Sequence, residues 1–323
     1  MPRIALNGIS LHYDEMGAGP PLVLIHAFPV GRRMWEPQMA ALARRHRVIA
    51  YDVRGFGLSD APREPGAYSQ AQSVEDARAL IEALDAAPAA VCGLSMGGNI
   101  ALNLALTYPE TVSALLLCDT GAGSEDPAAF AARCEEYAAA ADRGIEAFFD
   151  AALTWAVFAD YGSQGARQRA FLRELILGHP AHGIALTARH ALATRRPVYA
   201  LEAGMRALRV PTLVAFGERD EACVRSSEFM AATIPDARLW RVPGGTHFIN
   251  LDEPELFNRA VRQLDDPKLP IGCDLHVARD LAGAVLELLN VYMRENAANY
   301  GDAPAPTDVQ EIMRILTRSS GER

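Results

Sequence analysis

The sequence predicts an α/β fold: a mostly parallel central sheet with helices on both faces, a helical cap inserted into it, and a C-terminal helical extension. Three observations predict it. Strand and helix signals alternate through the first 120 residues, the alternation gives way to an all-helical stretch at 121–203, and strand-like runs resume at 210–216 and 238–242. Such alternation implies parallel strands joined by crossover helices that cover both faces of the sheet. The expected division is a core from 1–120 and 206–266, a cap insertion at 121–205 and an extension at 267–323.

Each element follows from its local pattern. Residues 9–14 read as a strand that ends in the turn Gly17-Ala18-Gly19-Pro20. Residues 21–26 are a continuous apolar run, the pattern of a strand buried on both faces. A helix over 35–45 leads to a strand at 48–51, and a helix over 73–86 has Ser73 as its expected N-cap. Residues 89–92 form a strand, 98–107 a helix and 112–118 a strand. A helix over 253–264 closes the core. Beyond Asp265-Asp266-Pro267, residues 276–299 carry one long amphipathic helix pattern, with Val277, Leu281, Val285, Leu288, Leu289 and Tyr292 on one face. The break Ala303-Pro304-Ala305-Pro306 precedes a shorter helix at 308–317. This tail suits packing against the core, or homo-oligomer contacts with a second copy, better than an activity of its own.

Composition narrows the function classes. The chain has 323 residues, of which 50% are hydrophobic and 22% charged, as in ordinary globular proteins. Its formal net charge of −9 argues against a nucleic-acid partner, whose binding surface is usually basic. No apolar run approaches the roughly 18–20 residues of a membrane span, and no secretory leader is expected. The five cysteines, Cys92, Cys118, Cys134, Cys223 and Cys273, are widely spaced and form no Cys-x-x-Cys pair. Reduced thiols in a cytoplasmic protein are the expectation. Cys92 and Cys118 end apolar runs and are read as buried. The histidines lack metal-ligand spacing and no Gly-x-Gly-x-x-Gly follows a strand, so no metal or organic cofactor is expected.

The chemistry concentrates at Gly93-Leu94-Ser95-Met96-Gly97-Gly98, between a strand and a helix. A sharp strand-to-helix turn needs small residues beside the central serine, here Gly93 and Gly97. It also presents the Ser95 hydroxyl at the head of a helix, where backbone N–H groups favour a developing oxyanion. Ser95 is therefore the candidate nucleophile. A serine hydroxyl needs an adjacent base, and His247 lies in the loop that follows the last strand. His179, His182 and His190 fall in the helical stretch, where they are placed to line the pocket or, the favoured reading, to lie on solvated helix surface. His12 and His46 lie away from the sheet's carboxyl edge. The base in turn needs a carboxylate to hold its tautomer. Asp220 follows the strand ending at Phe216 and is the first choice, with Glu221 beside it and Asp119 after another strand as rivals. Asp119 is read as structural, bonded to loop amides. The backbone N–H groups of Phe28 and Met96 are the candidate oxyanion hole.

With Ser95, Asp220 and His247 in this order, the sequence resembles the α/β-hydrolase fold superfamily over about residues 3–265. Two further stretches carry the resemblance. Asp52-Val53-Arg54-Gly55-Phe56-Gly57-Leu58-Ser59-Asp60 is similar to a family loop of structural role, and 211–217 is similar to the strand leading to the acid. The elbow Gly-Leu-Ser-Met-Gly-Gly looks like that of serine esterases and enol-lactonases of the 3-oxoadipate type. A serine at the elbow is unlike the carboxylate nucleophile of haloalkane dehalogenases and epoxide hydrolases. The chain departs from the family at Ala27 and Thr246, where glycine is usual.

The resemblance implies a serine hydrolase acting on a small carboxylic ester or lactone through an acyl-enzyme on Ser95. Carbon–carbon cleavage of the meta-cleavage-product type by the same triad is the alternative. A ligand sensor that retains the fold is the reading from a different class. The cap is expected to set specificity. Its arginines, Arg167, Arg169, Arg173, Arg189, Arg195 and Arg196, suit either an anionic substrate or solvated helix faces. Its aromatics, Phe148, Phe149, Trp155, Phe158 and Tyr161, are expected to pack the cap, with one or two facing the acyl pocket.

Overall fold

A computed structural model describes residues 2–262. Within them the apolar runs become strands β1 (Arg3–Leu6), β2 (Ile9–Met16), β3 (Pro21–Ile25), β4 (Arg47–Tyr51), β5 (Ala89–Leu94), β6 (Val112–Cys118), β7 (Thr212–Gly217) and β8 (Arg238–Val242). They hydrogen-bond in the order β1-β2-β4-β3-β5-β6-β7-β8. Pairing is parallel from β4 through β3 to β8 and antiparallel in β1–β2 and β2–β4. Strands β5 and β7 are buried along their whole length, as continuous apolar runs require. The sequence pattern did not resolve β1. That strand is four residues long, with Ile4 and Leu6 half-buried and Ala5 exposed, and its pairing with β2 is made by an Asn7-Gly8 turn with φ of 49° and 76°.

The helices are α1 (Glu36–Leu42), α2 (Gln70–Ala83), α3 (Met96–Thr107), α4 (Pro127–Asp142), α5 (Ile145–Ala152), α6 (Ala156–Gly162), α7 (Ala166–Leu177), α8 (Ala181–Thr187), α9 (Glu202–Ala207), α10 (Glu221–Thr233), α11 (Ile249–Asp252) and α12 (Pro254–Arg262). Helix α3 packs on β5 and β6, and α10 packs on β7. The cap of α2 is Ser69 and not Ser73. Ser69 is extended and its hydroxyl accepts from the Gln72 N–H at 3.0 Å, while Ser73 lies one turn inside and donates to Ser69 O. The connection between β6 and β7 holds α4 to α9 and no strand. The expected extension at 267–323, with its helix patterns and Cys273, lies outside the described residues.

The Asp52–Asp60 loop is held by buried charge. The Asp52 carboxylate accepts from the Arg32 backbone and guanidinium at 2.9 and 2.7 Å, and Arg54 grips Asp76 through two bonds of 2.9 Å. His179, between α7 and α8, joins this loop. It is buried, and its Nδ1 accepts from the Gly57 N–H at 2.6 Å. The reading of His179 as solvated helix surface is therefore wrong. The helical pattern around it gave no sign that its ring docks on a loop 122 residues away. His182, half-buried, is held similarly at Ala61 O, 2.9 Å away.

Candidate active site

Ser95 ends the turn between β5 and α3 with φ 56° and ψ −111°, a conformation that costs a non-glycine residue about 1–3 kcal/mol. Its surroundings impose it. The Ser95 N–H donates to Cys118 O on β6 at 2.8 Å, and Ser95 O accepts from both the backbone and side-chain N–H of Asn99 at 3.0 Å. Around it a side chain cannot fit. A Cβ on Gly93 would stand 2.2 Å from Gly97 O, one on Gly97 2.1 Å from Ile25 O, and one on Gly98 1.9 Å from Thr120 Oγ1. Gly93 and Gly97 are thus required by close approach of backbone to backbone, and Gly98 by the Thr120 side chain.

Two backbone amides face no competitor. Neither the Phe28 nor the Met96 N–H has a hydrogen-bond partner among the described residues. The loop before Phe28 is fixed by His26, whose Nε2 accepts from the Val53 N–H at 2.9 Å and whose Nδ1 donates to Ala27 O at 2.8 Å. Burial lowers the His26 pKa, which keeps that ring neutral and able to accept. Ala27 is fully buried, so the methyl group that replaces the family's glycine is accommodated.

His247 follows β8, and Asp220 lies between β7 and α10. Their side chains, 3% and 4% exposed, meet with Nδ1 to Oδ2 at 2.6 Å. With Nδ1 engaged by the carboxylate, Nε2 is the ring nitrogen left to take up or give a proton. Burial pushes the Asp220 carboxyl up, but the charge and hydrogen bond of His247 outweigh it and hold the pKa below the ordinary carboxylate value. Of the three carboxylates weighed from sequence, Asp220 is the one on His247. Glu221 is exposed at the start of α10. Asp119 is buried, accepts from the Gly217 N–H at 2.9 Å, and has its pKa raised well above the ordinary value by burial and then by the Asp220 charge.

Thr246, the second departure from the family pattern, ties the histidine loop to α11. Its N–H and hydroxyl both donate to Asp252 Oδ2, at 2.6 and 2.8 Å. Asp220, Cys223 and His247 form a set of metal-type donors within 4.8 Å of one another. The 2.6 Å between His247 and Asp220 is a hydrogen-bond distance, shorter than the roughly 3.3 Å that separates two ligands of one tetrahedral zinc.

Ser95, His247, Phe28 and Met96 line one cavity of about 390 Å³, within the range of small-molecule sites. Its far wall is aromatic. Phe28 stacks on Tyr137 at 5.8 Å between ring centroids, Tyr137 meets Trp155 at 4.3 Å, and Phe158 follows. Phe148, Phe149 and Tyr161 are buried within the helical connection, whereas Trp155 and Phe158 reach the cavity. Tyr137 and Phe130, which also line it, stood out by nothing in the sequence; their neighbours in α4 are mostly alanine and charge. A second cavity, of about 560 Å³, reaches the Asp220–His247 pair past Asp160 and Arg219.

Comparison with known proteins agrees with this architecture. The model of the alpha/beta hydrolase fold family matches residues 20–254. A putative carbamate hydrolase RutD from Azorhizobium caulinodans is 32% identical over 265 residues, covering 80% of this chain and 96% of that protein. The crystal structure of the enol-lactonase from Burkholderia xenovorans LB400 superposes with a TM-score of 0.70 at 29% identity, over 81% of this chain and 99% of the other. A thermophilic esterase from Thermogutta terrifontis gives 0.67 at 28% identity, over 83% of this chain and 100% of the other. The chain belongs to the alpha/beta hydrolase fold family, and it is a hydrolase of that fold.

Proposed function

We propose that this protein is a serine hydrolase of a small carboxylic ester or lactone, with Ser95 as nucleophile, His247 as general base and Asp220 as the carboxylate that orients it. The observation that carries the reading is the His247–Asp220 pair at 2.6 Å on the cavity that also holds the strained Ser95. His247 Nε2 takes the Ser95 proton as Oγ attacks the substrate carbonyl. The Phe28 and Met96 amides stabilise the oxyanion. The tetrahedral intermediate collapses to an acyl-enzyme as the alcohol oxygen leaves with that proton, and water then releases the acid through the same base. The names of the enol-lactonase and esterase neighbours support the substrate class. A carbamate, named in the RutD relative, presents a similar acyl carbonyl and is the second class to test.

The helical residues 121–205 serve in this reading as a cap on the core formed by 1–120 and 206–266, and set which acyl group enters. No helix among the described residues is long and apolar enough to cross a membrane. Labelling with a fluorophosphonate probe, wild type beside Ser95→Ala, tests the nucleophile. Labelling of the wild type alone is expected; an unlabelled wild type overturns the reading. A panel of p-nitrophenyl acetate, a lactone, a carbamate and a vinylogous diketo acid then separates the substrate classes.

A further inference from the structure

Two arginines of the helical connection are ion-paired at its surface. Arg173 binds Glu146 at 2.9 Å, and Arg189 binds Glu135 and Asp142 at 2.6 and 2.7 Å; these are paired surface charges. Arg195 is different. It lines the cavity that holds Ser95 and His247, and no carboxylate lies within ion-pair distance of it among the described residues. Its guanidinium sits 4.3 Å from the Phe130 ring centroid, and one N–H donates to Ala122 O. A guanidinium carries five N–H donors in a planar fork, so most of this one is uncommitted.

We propose that the substrate carries a free carboxylate, and that Arg195 binds it in the Ser95 cavity. The proposal rests on the serine-hydrolase reading of that cavity and names its substrate class. A planar guanidinium stacked on an aromatic ring keeps its edge open for the two parallel bonds that a carboxylate accepts. The two acids on the same cavity are already engaged: Glu125 accepts from the Tyr199 hydroxyl at 2.6 Å, and Asp126 caps α4 through the Ala129 N–H at 2.9 Å. With a chain charge of −9, the overall field does not attract an anion, so recognition needs such a local cation. Burial pushes the Arg195 pKa down to about 10, and the group is still a cation at neutral pH. A bound carboxylate would relieve that desolvation.

The test uses two esters with the same leaving group: mono-p-nitrophenyl glutarate, which carries the carboxylate, and its methyl ester, which does not. Wild type is expected to favour the acid in kcat/KM by about tenfold or more, the size of one charge-assisted interaction. Arg195→Gln keeps a donor for Ala122 O but removes the charge, and the ratio should fall to near one; Arg195→Lys should restore part of it. A wild type without preference for the acid, or a ratio unchanged in Arg195→Gln, overturns the proposal. Calorimetry of glutarate binding to Ser95→Ala, with and without Arg195→Gln, reads the site without turnover. Hydrolysis of the methyl ester with no glutarate binding sinks this proposal and leaves the hydrolase reading. Glutarate binding that is lost in Arg195→Gln, with neither ester turned over, sinks the hydrolase reading and leaves the anion site.

Discussion

Asp119 and Asp220 are tied together by one glycine: Asp119 Oδ1 accepts from the Gly217 N–H at 2.9 Å, and the Asp220 N–H donates to Gly217 O at 3.0 Å. The pKa values of the two buried carboxyls are nevertheless driven in opposite directions. His247 holds the Asp220 pKa below the ordinary value against its burial, while burial, and next the Asp220 charge, push the Asp119 pKa well above it.

The first prediction follows from this asymmetry. Asp119→Asn removes the buried acid, whose charged form burial disfavours, and keeps an oxygen that accepts from Gly217. Its kcat should stay within about threefold of wild type, and its Tm at pH 7 should be no lower, since a carboxyl with a raised pKa contributes no stability at neutral pH. Asp220→Asn should lower kcat by about 10⁴ through the wrong imidazole tautomer, as for the corresponding change in a serine protease triad. Steady-state kinetics with both variants decides it, and equal losses would refute the assignment.

Strain at Ser95 predicts a trade between stability and activity. Ser95→Gly relaxes the φ 56°, ψ −111° backbone, so unfolding in urea should show a gain of about 1 kcal/mol while fluorophosphonate labelling disappears. A variant less stable than wild type would mean that the hydroxyl and not the backbone dominates at this position.

Gly98→Ala places a methyl group 1.9 Å from Thr120 Oγ1 and should cost about 3 kcal/mol or more in chemical denaturation. Removing the obstructing hydroxyl with Thr120→Ala should return part of that loss, because the remaining contacts, to Thr120 Cβ and Gly93 O, stand at 3.0 and 3.1 Å. Strict additivity in the double-mutant cycle would contradict the clash.

His179 predicts a loss of stability in mild acid. Burial, and next the neighbouring His26, lower its pKa to about 4 from the ordinary 6.5, and protonation of Nδ1 would break its bond from the Gly57 N–H. A depressed folded value means that stability is whole above about pH 6.5 and declines as pH falls towards 4, by on the order of 3 kcal/mol. In Tm measurements from pH 7 to 4, His179→Gln should start lower and fall less steeply than wild type. Parallel curves would remove His179 as the cause.

Local chemistry decided much of what could be read from the chain alone. The elbow at Ser95 was legible because tight backbone approach admits only glycine at 93 and 97, and steric demands of that kind are written residue by residue. The central strands were legible because burial on both faces requires unbroken apolar runs, and the chain order of Ser95, Asp220 and His247 marked the loops to inspect. Short or capped ends were less so. Ser69 and Ser73 are both plausible caps by type, and only the backbone angles at Ser69 choose between them.

What the tertiary structure decided was which charged and polar groups meet across long separations. It paired His247 with Asp220 across 27 residues and docked His179 on a loop 122 residues away. It also distinguished Arg195 from Arg173 and Arg189, giving those two carboxylates and giving Arg195 an aromatic ring and a cavity. Residue type is the same for all three of those arginines. Burial and partner arise only when the chain folds, so the elbow belongs to the sequence and the protonation states and pairings around it belong to the fold.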